Sequence, residues 1–227
     1  MAWQQRLPRI STYSGIENVE GSDGGDYIIG SSSANSISGG AGRDYINPGA
    51  GADTVTGGAG DDTIIITETT QSADTIVFSG VTAALNGSDT VTGFVVGSDL
   101  LDVAPLNNAS TGTTITLDTL AALATETTSI AVAAGTTHVI GNVTNAASID
   151  TATEVHTALT DGGLLDAVDV ATSGTAYLVI SGLDNTTTLY VYGVTMDATA
   201  GFGAGDSVVL IGTVATDSTT LTTANLV

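Results

Sequence analysis

Gly21-Ser22-Asp23-Gly24-Gly25-Asp26-Tyr27-Ile28-Ile29 opens a run best written in blocks of nine: GSDGGDYII (21–29), GSSSANSIS (30–38), GGAGRDYIN (39–47), PGAGADTVT (48–56) and GGAGDDTII (57–65). The eighth place of every block is apolar: Ile28, Ile37, Ile46, Val55 and Ile64. The sixth carries Asp26, Asn35, Asp44, Asp53 and Asp62. Self-similarity at a fixed period marks a repeat architecture, and it outranks any residue-by-residue assignment.

The period has a mechanical meaning. Each block ends in an x-apolar-x run too short for an ordinary strand, and the Gly-rich residues before it make a tight turn that needs positive φ. Two blocks therefore form one coil, strand–turn–strand–turn. Ile28, Ile46 and Ile64 stack on one sheet and face Ile37 and Val55 on the other. The turns stack too, so Asp26, Asp44 and Asp62 line one edge while Asn35 and Asp53 line the opposite edge. Carboxylates one strand spacing apart, about 4.8 Å, repel strongly. A hard cation between successive turns converts that repulsion into attraction. Carboxylates with backbone carbonyls are the oxygen set that Ca²⁺ takes, whereas the octahedron and retained waters of Mg²⁺ suit stacked turns badly.

Composition points the same way. The chain has 227 residues, 24 acids, three Lys+Arg and a net charge of −21. There is no lysine, and the fixed cations are Arg6, Arg9 and Arg43. Such a surplus repels nucleic acid and, in a compact state, itself. Disorder is a poor answer, because the acids sit between regular apolar positions and the mean hydropathy is +0.32. A divalent cation is the better one. Apolar residues make up 42% but aromatics only 4%, so the core is built from Val, Ile, Leu and Ala. With no cysteine, neither disulfides nor thiolate metal sites contribute. Residues 1–10 hold Arg6 and Arg9 without an apolar core segment, unlike a cleaved secretory signal, and no apolar run is long enough for a transmembrane helix.

These nonapeptides resemble the RTX repeats of proteins exported by type I secretion, whose pattern is G-G-x-G-x-D-x-U-x. Residues 39–46 and 57–64 match in full, the block from Pro48 departs at its first place, and the block from Gly30 keeps only the first glycine and Asn35. The Gly30 turn is thus expected to hold an ion least well. Gly15-Ile16-Glu17-Asn18-Val19 resembles the lead-in common before such repeats. After Ile65 the register slips, yet Asp74-Thr75-Ile76, Asp89-Thr90-Val91 and Asp99-Leu100-Leu101 repeat the acid-x-apolar spacing as degenerate coils, with weaker or absent ion sites expected. The calcium-site residues implied are Asp26, Asn35, Gly39, Gly40, Gly42, Asp44, Gly49, Gly51, Asp53, Gly57, Gly58, Gly60 and Asp62, followed by Asp74, Asp89 and Asp99. Several Ca²⁺ ions are expected.

The fold expected is mostly β: a lead-in over 1–20, a parallel calcium β-roll over 21–102, and a β-rich domain over 103–227 with one or two short helices. In the last part, alternation and β-branched content predict strands at Thr113–Leu117, Ser129–Val132, His138–Ile140, Ala176–Ile180, Thr188–Val194 and Ser207–Val214. The fourth and fifth flank a hairpin turn at 181–185. Thr151 and Glu154 form a capping box for a helix closed by Gly162, and a shorter helical turn is expected from Asp118 to Leu123. In order of elements this half resembles the C-terminal regions that follow RTX repeats in bacterial surface-layer (S-layer) proteins. That resemblance implies an uncleaved export signal at the C-terminal end, including 219–227, read by the type I secretion machinery.

No catalytic constellation is legible. The two histidines, His138 and His156, lie outside any H-E-x-x-H helix, no G-x-S-x-G elbow occurs, and nothing but the lead-in precedes the repeats. Tyr190 and Tyr192 alternate on one strand, where contact with a cell-surface polysaccharide and one-sided packing explain them equally. Two function classes follow. One is an extracellular S-layer or fibre subunit that assembles with itself in Ca²⁺, favoured by the start at Met1. The other is the export-and-folding tail of a larger adhesin or enzyme.

Overall fold

The computed structural model describes residues 10–12, 17–80, 82–103, 115–119, 130–132, 137–141, 152–153, 168–170, 174–181, 187–196, 205–217 and 225. Short strands alternate between two parallel stacks. Ile10–Thr12 (β1), Tyr27–Ser31 (β3), Tyr45–Gly49 (β5), Thr63–Ile65 (β7) and Asp89–Phe94 (β9) build one. Asn18–Glu20 (β2), Ser36–Ala41 (β4), Thr54–Ala59 (β6), Thr75–Val77 (β8) and Leu100–Asp102 (β10) build the other. This is the parallel β-roll.

Register follows the eighth place of the repeat. Ile28 pairs with Ile46, Ile46 with Ile64, and Ile64 with Val91. Opposite them run Val19, Ile37, Val55, Ile76 and Leu101. From Ile28 to Leu101 none of these ladder residues is more than 2% exposed. Burying each such side chain is worth about 1.5–3 kcal/mol, which is why one apolar residue per short strand suffices when the strands stack. The seventh place faces outward, and Tyr27 stacks on Tyr45 there with ring centroids 4.6 Å apart.

Beyond Ile65 the alternation persists although the turns lengthen. Equivalent acids lie 18 residues apart within the repeats, then 21, 27 and 25 apart. The extra residues bulge in the turns, one of which carries the short helix Ala83–Asn86 (α1). The strands keep register because their buried apolar residue must stay on the core face.

The expected strands of the second half are present as Ile115–Thr119 (β11), Ile130–Val132 (β12), Thr137–Gly141 (β13), Gly174–Ser181 (β15), Thr188–Met196 (β16) and Ser207–Thr216 (β17), with Val168–Val170 (β14) in addition. Two findings go beyond the sequence reading. First, β11, β13 and β15 pair in parallel while β12 and β14 pair in parallel in a separate sheet, so this part also coils between two stacks. Second, β15–β16–β17 form an antiparallel meander whose last strand pairs in parallel with β9. The result is one ten-stranded sheet running from β1 to β11.

The helices differ from expectation. Asp118 and Thr119 belong to strand β11, whose pairing with β13 overrides the local turn signal. Ala152 and Thr153 are helical, while the rest of the helix expected from Thr151 lies outside the described residues; of the turn expected at 181–185, Ser181 ends β15 and 182–185 lie outside the described residues. Among the described residues no helix is long and apolar enough to cross a membrane.

One core cluster joins the roll to the meander, from Ile28 and Val55 through Phe78 and Phe94 to Leu189, Val191, Ile211 and Val214. Gly212 makes the junction possible. A Cβ there would lie 2.5 Å from Phe78 Cε1, so only glycine lets β17 cross the ring. The C-terminal segment also grips the closing coil: the Asn225 Nδ2 amide donates to the Asp99 carbonyl at 2.9 Å, and the Val96 N–H donates to Asp217 Oδ1 at 2.9 Å.

Candidate metal centre: two carboxylate ladders

The sixth-place residues form one ladder along each edge of the roll. On the first edge the Asp26 N–H donates to Asp44 Oδ1 (2.7 Å), Asp44 N–H to Asp62 Oδ1 (2.8 Å) and Asp62 N–H to Asp89 Oδ1 (3.0 Å). On the second, Asn35 N–H donates to Asp53 Oδ1 (2.6 Å), Asp53 N–H to Asp74 Oδ1 (2.9 Å) and Asp74 N–H to Asp99 Oδ1 (3.1 Å). One carboxylate oxygen per residue is thus spent holding the coil before it. The other oxygen is the informative one. Oδ2 of Asp44, Asp53, Asp62 and Asp74 is buried and has no hydrogen-bond partner. An unpaired buried carboxylate oxygen is costly, and four in stacked turns call for a shared cation. Oxygen donors of this kind fit Ca²⁺.

The glycines keep that space open. A Cβ on Gly57 would sit 2.4 Å from Asp62 Oδ2, and one on Gly39 would crowd Asp44 Oδ2 in the same way. Gly40, Gly42, Gly49, Gly51, Gly58 and Gly60 have φ between +101° and +128°, a region side chains avoid. Backbone carbonyls crowd the same turns: the Gly57 carbonyl oxygen is 2.5 Å from where a Gly39 Cβ would be.

The first two turns lack glycine at their second place and close differently. Ser22 donates from its N–H (2.7 Å) and hydroxyl (2.9 Å) to Asp26 Oδ2. The Ser31 N–H donates to Asn35 Oδ1 at 2.9 Å. Serine therefore satisfies locally the oxygen that the glycine turns leave open.

Electrostatics match the geometry. Burial pushes the carboxyls up, opposed by the backbone N–H each accepts and reinforced by neighbouring acids. Asp53 and Asp62 are raised to about 6, Asp74 to about 7 and Asp89 to about 8, with Asp44 and Asp99 raised as well. For Asp53 and Asp74 the neighbouring charge includes Glu68. Little positive charge answers them: Arg43 pairs with Asp61 at 3.0 Å on the exposed surface.

All the sixth-place residues expected from the sequence, and Asp74, Asp89 and Asp99 after them, take part in the ladders. The expectation that ion sites fade after Ile65 does not fit Asp74, which is 0% exposed and leaves an oxygen as unpartnered as Asp44 does. Sequence reading missed Glu68, whose carboxylate joins Asp53 and Asp74 with ligand atoms all within 4.8 Å of one another. Its only signal was an acid inside the register slip. Asn86 was missed too; it fills the other long turn, accepting from the Ser79 N–H (2.9 Å) and donating to the Gly80 carbonyl. Tyr192 is 0% exposed, so packing accounts for it. His138 lies on β13, and His156 lies outside the described residues.

The family model for the RTX calcium-binding nonapeptide repeat matches in four copies over residues 20–55 and 49–65. No curated protein matches the chain. Among solved structures it is similar to the solution structure of the AlgE6R3 subunit from the Azotobacter vinelandii mannuronan C5-epimerase, at 20% identity, over 91% of this chain and 80% of that one, with a TM-score of 0.41.

Proposed function

We propose that this RTX-repeat protein, whose nonapeptides bind Ca²⁺, works outside the cell as a structural subunit of an S-layer or fibre that assembles with itself when calcium is present. The observation that carries the reading is the set of four buried, unpartnered carboxylate oxygens in stacked turns. In this reading those oxygens of Asp44, Asp53, Asp62 and Asp74 hold the ions together with turn carbonyls. Calcium is scarce inside cells, so the chain would stay loose until export through the type I machinery and fold outside. Cation binding and folding would be one event, because the donor atoms converge only when coils stack.

Self-association rests on two features. Among the described residues β1 and β11 end the long sheet and β2 and β10 end the short one, leaving strand edges that another copy can extend. Subunits of net charge −21 repel, so contact between copies needs a cation at the junction. A cell-surface polysaccharide is the anchor this role calls for. The pairing of β17 with β9 favours a second reading, a calcium-triggered folding module that uses the roll as template for the C-terminal strands. Light scattering and negative-stain imaging across a calcium titration separate the two. Sheets or fibres that vanish on chelation support the first, and a monomer at every calcium and protein concentration refutes it.

A further inference from the structure

We infer that the loop between Ile66 and Asp74 builds a calcium site of its own, closed by Glu68, a ligand that no nonapeptide place supplies. The inference rests on the calcium reading of the roll and names a residue and a site outside its repeat pattern. Three carboxylates converge there: Asp53 from a repeat turn, Asp74 from the first degenerate coil, and Glu68 from the inserted loop. Asp53 Oδ2, Glu68 Oε1 and Asp74 Oδ2 are each buried without a hydrogen-bond partner. Asp53 is 1% and Asp74 0% exposed. The ligand atoms lie within 4.8 Å of one another. Calcium–oxygen distances are about 2.3–2.6 Å, so oxygens on opposite sides of one ion are about 5 Å apart. The cluster has the dimensions of a single-ion site.

Each carboxylate is also held in place by its second oxygen. Asp53 Oδ1 accepts from the Asn35 N–H at 2.6 Å and Asp74 Oδ1 from the Asp53 N–H at 2.9 Å. Glu68 Oε2 accepts from the Ser72 N–H at 2.8 Å, which folds the loop back over the ladder. Ser72 is itself tied to the closing coil through the Ser98 hydroxyl at 3.0 Å. Each of the three anchored carboxylates thus keeps one buried oxygen without a partner, in a cluster whose ligand atoms converge within 4.8 Å. A repeat turn contributes its one acid against glycine backbone, whereas this turn adds the longer glutamate where the loop has left the glycine pattern. More ligand charge makes a tighter calcium site, so this one fills at lower calcium than the repeat turns. It also joins the regular coils to the irregular ones where the register slips.

The test is calcium titration of the full chain by calorimetry against a competing chelator, with terbium luminescence as a second readout of occupancy. Glu68→Gln keeps the shape and removes the charge; Glu68→Asp keeps the charge and withdraws it by one methylene. Either is expected to remove one ion from the stoichiometry or to weaken the tightest site about tenfold or more, the scale of loss when a metal site is deprived of one supporting group. The exposed Glu20→Gln should leave both unchanged. Wild-type stoichiometry and affinity in both Glu68 variants, or an equal loss in Glu20→Gln, overturns the site while leaving the repeat sites standing. A wild-type chain that takes up no calcium overturns the calcium reading itself.

Discussion

The perturbation that probes the ladders most directly is pH, because calcium and protons compete for the same oxygens. Five carboxylate pairs stand on successive coils: 26–44, 44–62, 62–89, 53–74 and 74–99. At a strand spacing of about 4.8 Å, two unit charges repel by about 1 kcal/mol in water and about 3.5 kcal/mol at the effective dielectric of a protein surface. Together the pairs cost on the order of 4–17 kcal/mol when ionised, as much as the whole stability of a typical domain, about 5–15 kcal/mol. The calcium-free roll should therefore be loose at pH 8. Asp53 and Asp62 are raised from 3.8 to about 6, Asp74 to about 7 and Asp89 to about 8. A group whose folded pKa is raised binds protons more tightly when folded. Its contribution is complete below the unfolded value and is lost as pH rises through the folded one. In chelator, then, β structure measured by circular dichroism should grow as pH falls from 8 to 5. In calcium the sign reverses, since the ion needs ionised oxygens, and the midpoint concentration should rise about tenfold or more over the same interval. Flat or falling apo β content on acidification, or a calcium midpoint indifferent to pH, would refute the ladder account.

Gly42 and Gly24 occupy the same place of the repeat but face different surroundings. Gly42→Ala, at φ +114° with the Gly25 nitrogen 2.5 Å from the new Cβ, should lower stability in calcium by about 1–2 kcal/mol or more, whereas Gly24→Ala meets nothing within 4 Å and should be near neutral. Equal melting temperatures for the two variants would contradict the turn geometry. Asp44→Ala and Asp74→Ala should raise the calcium midpoint of folding to a similar degree, since each residue stands mid-ladder with one oxygen unpartnered. A normal midpoint for Asp74→Ala alone would restore the expectation that the sites end with the repeats.

By itself the sequence determined the roll, its apolar ladder and the edge on which each acid stands. Within the repeats those contacts recur at a constant offset, as from Asp26 to Asp44 and from Asp44 to Asp62, so a period read along the chain is also a map of neighbours in space. It located the later strands too, because β-branched alternation is a local signal. Their partners were not legible. Pairings such as β11 with β13 and β14 with β12 span unequal intervals, and a strand that alternates well reads the same whether its neighbour is parallel or antiparallel. Only the tertiary structure decided that β17 returns to β9, through a glycine at 212 that clears the Phe78 ring. Only it brought Glu68 to Asp53 and Asp74. Once a turn has lengthened, its side chains are placed by the coils it must bridge and by anchors such as the Ser72 N–H, which no period encodes.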